Sequence, residues 1–189
     1  THLGHSFPTR RSSDLEFFYK SSNRTFNLKV NFRITLGVRD KKIKQNRLKI
    51  SHKHDCYELI YVYDGSYSQY IGEKYIKLKK GDACFLDCGV NHIEEPLGES
   101  DTVFFLCFSK RFLRENIIKY LSSKYLIEDF LNNYKENYII FTKDKYDCNS
   151  IVKGIVKEYF RNDSGRNFIL NGYIIRFLES LINSYKLTL

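Results

Sequence analysis

From Phe26 to about Ser109 the chain is punctuated at short intervals, and its apolar residues recur every second position. "FNLKVNFRITLGV" alternates apolar and polar side chains, as does "YELIYVYDGSYSQYIGEKYIKLKKGDACFLD", which turns at Asp64-Gly65, at Gly72 and at Lys80-Gly81-Asp82. This is the period of half-buried strands separated by tight turns. "TVFFLCF" (102–108) reads as one more buried strand. So many strands at this spacing imply an antiparallel barrel or sandwich.

After Ser109 the period lengthens. "SKRFLRENIIKYL" (109–121) and "SKYLIEDFLNNY" (123–134) have helical spacing. In "DCNSIVKGIVKEYFRN", Ile151, Ile155 and Tyr159 form one stripe, with Val152, Val156 and Phe160 beside it. Lys153, Lys157 and Arg161 fall on the other side, and Asp147 or Asn149 can cap the start. Past the turn at "NDSG", Leu170, Ile174, Phe177, Leu181 and Tyr185 mark a last helix. Two amphipathic helices joined by a short turn predict an antiparallel hairpin. Its apolar surface serves either packing within the chain or dimerisation, the latter through Leu170, Ile174, Phe177 and Leu181.

Composition narrows the class. At 189 residues the chain suits one medium domain, or one domain with a helical appendage, and 42% hydrophobic residues exclude a disordered chain. No apolar run is long enough to span a membrane, and no apolar segment follows the basic residues of a secretory signal. Five cysteines in no tight framework point to reduced thiols in the cytoplasm. The net charge of +9 raises the question of a nucleic-acid surface, but the lysines are scattered. The densest basic run, "RDKKIKQNRLK" (39–49), lies between two strand-like segments and reads as a solvated loop.

The candidate chemistry is concentrated in "SHKHDCYELIYVYDG" and "KGDACFLDCGVNH". On one continuous strand, His52, His54 and Glu58 share a face with Ile60 and Val62, the inward one, while Tyr57, Leu59, Tyr61 and Tyr63 point the other way. His92 follows the turn at Gly89. His52-x-His54-x3-Glu58-x6-Gly65 resembles the first motif of the cupin superfamily. Gly81-x7-Gly89-x2-His92 resembles the second, with Asp87 in place of the usual proline and Pro96 where the pattern ends in asparagine.

The resemblance implies a cupin barrel (double-stranded β-helix, or jelly roll), mainly β, followed by helices. It also implies that His52, His54, Glu58 and His92 are candidate ligands for Fe, Mn, Zn, Ni or Cu. In the alternative they line a polar effector pocket that needs no cofactor.

The whole run from His52 to His92, with "IVKGIVKEYFRNDSGRNFILNGYIIRFLESLIN" behind it, is similar to the sensor domain and dimerisation helices of AraC-type transcriptional regulators. The similarity covers about residues 26–186. It implies a non-enzymatic, cytoplasmic homodimer: residues 16–110 sense a small-molecule effector, such as a sugar, and residues 111–189 link and dimerise. DNA would be bound only through a C-terminal helix-turn-helix domain that this fragment lacks. The competing expectation is a metal-dependent cupin enzyme, a dioxygenase or isomerase, using His52, His54, Glu58 and His92. Residues 5–15, "HSFPTRRSSDL", resemble a translated sequencing adapter, so residues 1–15 are expected to be an artefact without a structural role.

Overall fold

The computed structural model describes residues 26–27, 32–38, 51–95, 97–98, 101–118, 137–142, 148–161 and 164–186. The expected artefact at 1–15, the basic run 39–49, Pro96, the helix expected at 123–134, Asp147 and the Tyr185 side chain lie outside these.

The described strands are β1 (Phe26–Asn27), β2 (Phe32–Val38), β3 (Tyr57–Asp64), β4 (Ser66–Ile71), β5 (Lys74–Lys79), β6 (Ala83–Leu86), β7 (His92–Glu94), β8 (Thr102–Phe108) and β9 (Tyr138–Phe141). They form two antiparallel sheets, a large one in the order β1-β2-β8-β3-β6-β9 and a small one in the order β5-β4-β7. Among the described residues the sheets are not joined into the closed barrel expected from the sequence. Gly65, at φ 74°, makes the reversal that passes the chain from β3 in the large sheet to β4 in the small one.

Alternation along β3 sorts its side chains between two cores. Ile60 and Val62 pack with Tyr67, Ile71, Leu78 and Phe105 in a core built from both sheets. Tyr57, Leu59, Tyr61 and Tyr63 point to the opposite face of the large sheet, as period two requires. They do not cover a barrel against water. They are buried, in one cluster with the helices. Tyr67 lies between the sheets, so the tyrosines that look continuous in sequence belong to two environments.

Helix α1 (Lys110–Phe112) begins at Ser109, whose hydroxyl accepts from the Phe112 amide at 3.0 Å, and it continues as a π-helical turn over Leu113–Ile117. Helices α2 (Cys148–Tyr159) and α3 (Arg166–Lys186) make the expected hairpin. Its apolar stripe packs on the large sheet: Phe177 sets its ring edge-on to Tyr61 at 5.4 Å and to Phe104 at 6.0 Å. Leu170, Ile174, Phe177 and Leu181 are all buried inside the chain. Of the two roles the sequence left open for this stripe, packing within the chain is the one these residues serve, because the outer face of the large sheet is itself apolar and needs a cover.

Asn149 is also not a cap. It lies inside α2, and its side-chain carbonyl accepts from the Tyr61 hydroxyl at 2.7 Å, tying the helix to the sheet. Where α2 meets α3, a Cβ on Gly154 would fall 2.5 Å from the Tyr173 ring, so the close approach of the helices depends on glycine at that position. Three layers result: small sheet, large sheet and helices.

Candidate functional site

The four sequence-predicted polar residues come together, though not by one continuous strand. Strand β3 begins only at Tyr57, after a bend at Asp55 and Cys56. Before the bend, His52 pairs with β7 of the small sheet: its amide donates to the His92 carbonyl and the His92 amide donates back, each at 3.0 Å. After the bend, Glu58 stands in the large sheet opposite Leu86 and Cys107. The segment thus crosses from one sheet to the other and places its polar side chains at the seam. Gly89, at φ 82°, turns the chain between β6 and β7, and its amide donates to the His54 carbonyl at 2.8 Å.

The three imidazoles cluster with their rings tilted or edge-on to one another. Ring centroids are 4.2 Å apart for His52–His92, 5.0 Å for His52–His54 and 5.4 Å for His54–His92. One ring nitrogen of each lies within 4.8 Å of the others. Beneath them is Glu58, 4% exposed, with Oε1 at 3.7 Å from His54 Nε2 and Oε2 at 3.3 Å from His92 Nε2. The Cys107 thiol donates to Glu58 Oε1 at 3.5 Å, and His52 Nε2 is 3.9 Å from Glu94 Oε1 at the rim.

His92, 2% exposed, fixes the electrostatics. Its Nδ1 is 3.1 Å from the Val90 carbonyl, which can only accept, so Nδ1 carries the proton. Nε2 then faces a carboxylate either as a lone pair, which is repulsive, or as a second N–H of the imidazolium. Burial disfavours charge on both partners. It is outweighed on His92 by the nearby Glu58 carboxylate, the Val90 carbonyl and the charge of Glu94, which raise its pKa above 6.5. On Glu58 the carboxyl is lowered below 4.5 by His92, His54 and Cys107 despite burial. The pair is an ion pair of short range but poor alignment: Glu58 Oε2 and His92 Nε2 are both buried and neither completes a hydrogen bond.

The three imidazole nitrogens, within 4.8 Å of one another, are a donor set that could hold a divalent metal, with the Glu58 carboxylate beside two of them. A His nitrogen backed by a carbonyl on its other nitrogen is the usual ligand arrangement. The same set fits a polar group of an effector.

Glu94 and Cys107 were missed in the sequence. Glu94 had a signal, standing two positions after His92 and so on the same side of a strand. Cys107 had none, because its contact with Glu58 comes from the long-range pairing of β8 with β3. Between the sheets the polar column continues: Gln69, fully buried, accepts from the Tyr67 hydroxyl at 3.3 Å and reaches Cys84 Sγ at 3.6 Å.

Among the described residues no helix is long and apolar enough to cross a membrane. No curated protein sequence matches the chain. Crystal structures do. The apo K231A variant of ToxT from Vibrio cholerae strain SCE256 aligns at a TM-score of 0.55 with 16% identity, over 86% of this chain and 59% of its own. The chain thus spans about three-fifths of that protein, and the likeness is one of fold. Unsaturated-fatty-acid-bound wild-type ToxT from the same strain aligns at 0.47 with 16% identity, over 71% of this chain and 49% of its own. A cupin-2 domain containing protein from Shewanella frigidimarina aligns at 0.34 with 17% identity, over 44% and 76%. The family described as the ExsA N-terminal regulatory domain matches residues 58–171, more than half of the 189 residues, and with them Glu58, His92, β8 and α2. The match agrees with the resemblance to AraC-type regulators drawn from the sequence, and the chain belongs to the ExsA N-terminal regulatory domain family.

Proposed function

We propose that this chain is the effector-sensing and dimerisation part of an AraC-type transcriptional regulator, and that His52, His54, Glu58 and His92 are the polar end of its effector site. One observation carries the site: a buried carboxylate oxygen and a buried imidazole nitrogen face each other without completing a hydrogen bond, at the seam of the two sheets. A ligand whose polar groups complete the hydrogen bonding of this poorly aligned pair gains affinity from doing so. The effector is a small polar molecule, a sugar being one class that offers paired hydroxyls to a carboxylate and an imidazole. The regulator acts in the cytoplasm. Its DNA contacts belong to a helix-turn-helix domain outside this chain, whose arrangement the effector biases.

Binding here reaches the helices through β3. Glu58 faces the site, while its neighbours Tyr57 and Leu59 face the helical layer, and Tyr61 holds both Asn149 of α2 and Phe177 of α3. A shift of β3 at the site is therefore felt by the hairpin.

A second reading is favoured by the close approach of the three imidazole nitrogens. Held by His52, His54, His92 and Glu58, a divalent metal would act as a Lewis acid toward a bound ligand. The chain's own part is to keep Nδ1 of His92 protonated against Val90 and Glu58 ionised.

Thermal melting separates the readings, using wild type and His92→Ala with a panel of sugars and with Zn²⁺, Mn²⁺ and Ni²⁺. A sugar at about 100 times its Kd should stabilise wild type by about 2.7 kcal/mol and leave His92→Ala unmoved. Stabilisation by metal alone, with one ion per chain that both His52→Ala and His92→Ala lose, selects the metal reading. A ligand that stabilises wild type and His92→Ala equally rules out the site.

A further inference from the structure

Of the five cysteines, Cys84, Cys107 and Cys148 are buried, while Cys56 and Cys88 are half-buried and reach the surface. These two belong to different segments. Cys56 stands in the run that carries His52, His54 and Glu58, and Cys88 in the turn that leads to His92. The fold sets the segments side by side. In the ladder of β3 with β6, Glu58 is opposite Leu86. That register, carried two residues further, sets Cys56 opposite Cys88. Both segments leave the ladder there, by the bend at Asp55 and Cys56 and the turn at Cys88 and Gly89. They are joined again at once, because the Gly89 amide donates to the His54 carbonyl at 2.8 Å. The two cysteines thus lie between two cross-links, one on each side.

This placement suits a covalent bond. Residues opposite each other in an antiparallel ladder have Cα atoms about 4.5–5.5 Å apart. A disulfide spans about 4.4–6.8 Å. Burial pushes the Cys88 thiol up to about 11, with Lys110 opposing the rise and the charges of Asp87 and Cys56 adding to it. The two sulfurs are therefore within electrostatic reach of each other, and Cys88 is protonated at neutral pH.

We propose that Cys56 and Cys88 are a redox-modification site, which a peroxide closes into a disulfide that clamps together the two segments of the His/Glu cluster. The Cys56 sulfur attacks one oxygen of hydrogen peroxide, and the O–O bond breaks. Cys56 becomes a sulfenic acid, and the other oxygen leaves as water with the Cys56 proton. The Cys88 sulfur then attacks the sulfenic sulfur. The S–S bond forms, the S–O bond breaks, and a second water leaves with the Cys88 proton. Two thiols are oxidised by two electrons in all, and the peroxide takes both.

The position of the bond gives it a consequence at the site. His54 and Glu58 stand two residues to either side of Cys56, at the point where the chain crosses between the sheets. A bond from there to Cys88 fixes both against the turn that precedes His92. What this does to effector binding rests on the regulator reading; formation of the bond does not.

The test uses the 189-residue chain, reduced and then treated with hydrogen peroxide, beside Cys56→Ser and Cys88→Ser. The mass of wild type should fall by two hydrogens, and tandem mass spectrometry should find Cys56 joined to Cys88 within one chain. Dithiothreitol should restore both thiols. The oxidised chain should melt higher than the reduced one, a gain that each serine variant lacks. Imidazole signals of His52, His54 and His92 in NMR spectra should shift as the bond closes. Both thiols surviving excess peroxide would overturn the proposal, as would a bond between any other pair, or a bond that leaves the imidazole signals unmoved. The wild-type peptide map decides the pairing even where a serine variant folds poorly. A bond that forms and moves these signals, in a chain whose melting no sugar alters, counts against the effector reading and leaves the redox pair standing.

Discussion

Phe177→Ala is expected to destabilise the chain by about 3–5 kcal/mol in urea denaturation, the range for removing a fully buried aromatic ring. Phe177 is 0% exposed and lies edge-on to Tyr61 and Phe104, so its ring joins the helical layer to two central strands of the large sheet. Little of the gap can close, because both neighbours are held in the ladder by the pairing of Tyr61 with Phe104. Phe177→Glu should go further and prevent folding, since an ionised carboxylate there has no partner. The same substitutions at a dimer contact would leave the monomer as stable as wild type. A loss under about 1 kcal/mol for Phe177→Ala would show that this stripe does not cover the sheet.

The second large effect is a pH window set by Glu58 and His92. Glu58 has its pKa lowered in the fold. The stability it contributes is fully present above the ordinary value of 4.5 and is lost as pH falls through the lowered one. His92 has its pKa raised. Its contribution is fully present below the ordinary value of 6.5 and is lost as pH rises through the raised one. The two contributions therefore coincide between 4.5 and 6.5, and each limb belongs to one residue.

His92→Ala should cost about 3–5 kcal/mol inside that window, because it strands a buried carboxylate, and the cost should shrink toward alkaline pH, where wild-type His92 is neutral. Denaturation midpoints of wild type and His92→Ala from pH 3 to 9, subtracted to remove all other groups, check this. A difference independent of pH would mean that the pair is not ionised in the fold.

Much of this arrangement could be read from the residues. Alternation alone divided β3 correctly, with Ile60 and Val62 inward and Tyr57, Tyr61 and Tyr63 opposite, because a side-chain period of two survives any twist of the strand. It could not say what lies over the outer face, since parity gives a direction and not a neighbour. For the same reason Leu170 to Leu181 declared a buried stripe without declaring that the partner is the chain's own sheet.

The convergence of His52, His54, Glu58 and His92 was legible through the cupin resemblance. The expected route to it was not the actual one. The bend at Asp55 and Cys56 breaks the strand, and His52 is placed by pairing with His92 rather than by alternation with Glu58. Contacts set by long-range register, such as Cys107 with Glu58, leave no trace in local spacing.

The central claim is that the His/Glu cluster at the seam of the sheets reads an effector and passes the signal to the helices. Reporter transcription tests it most directly, in cells producing the whole regulator with Glu58→Gln or His92→Ala, with and without the inducing condition. Compared at matched protein levels, because His92→Ala costs stability, both variants should retain promoter occupancy and lose the response. A response in Glu58→Gln and His92→Ala equal to that of wild type would contradict it.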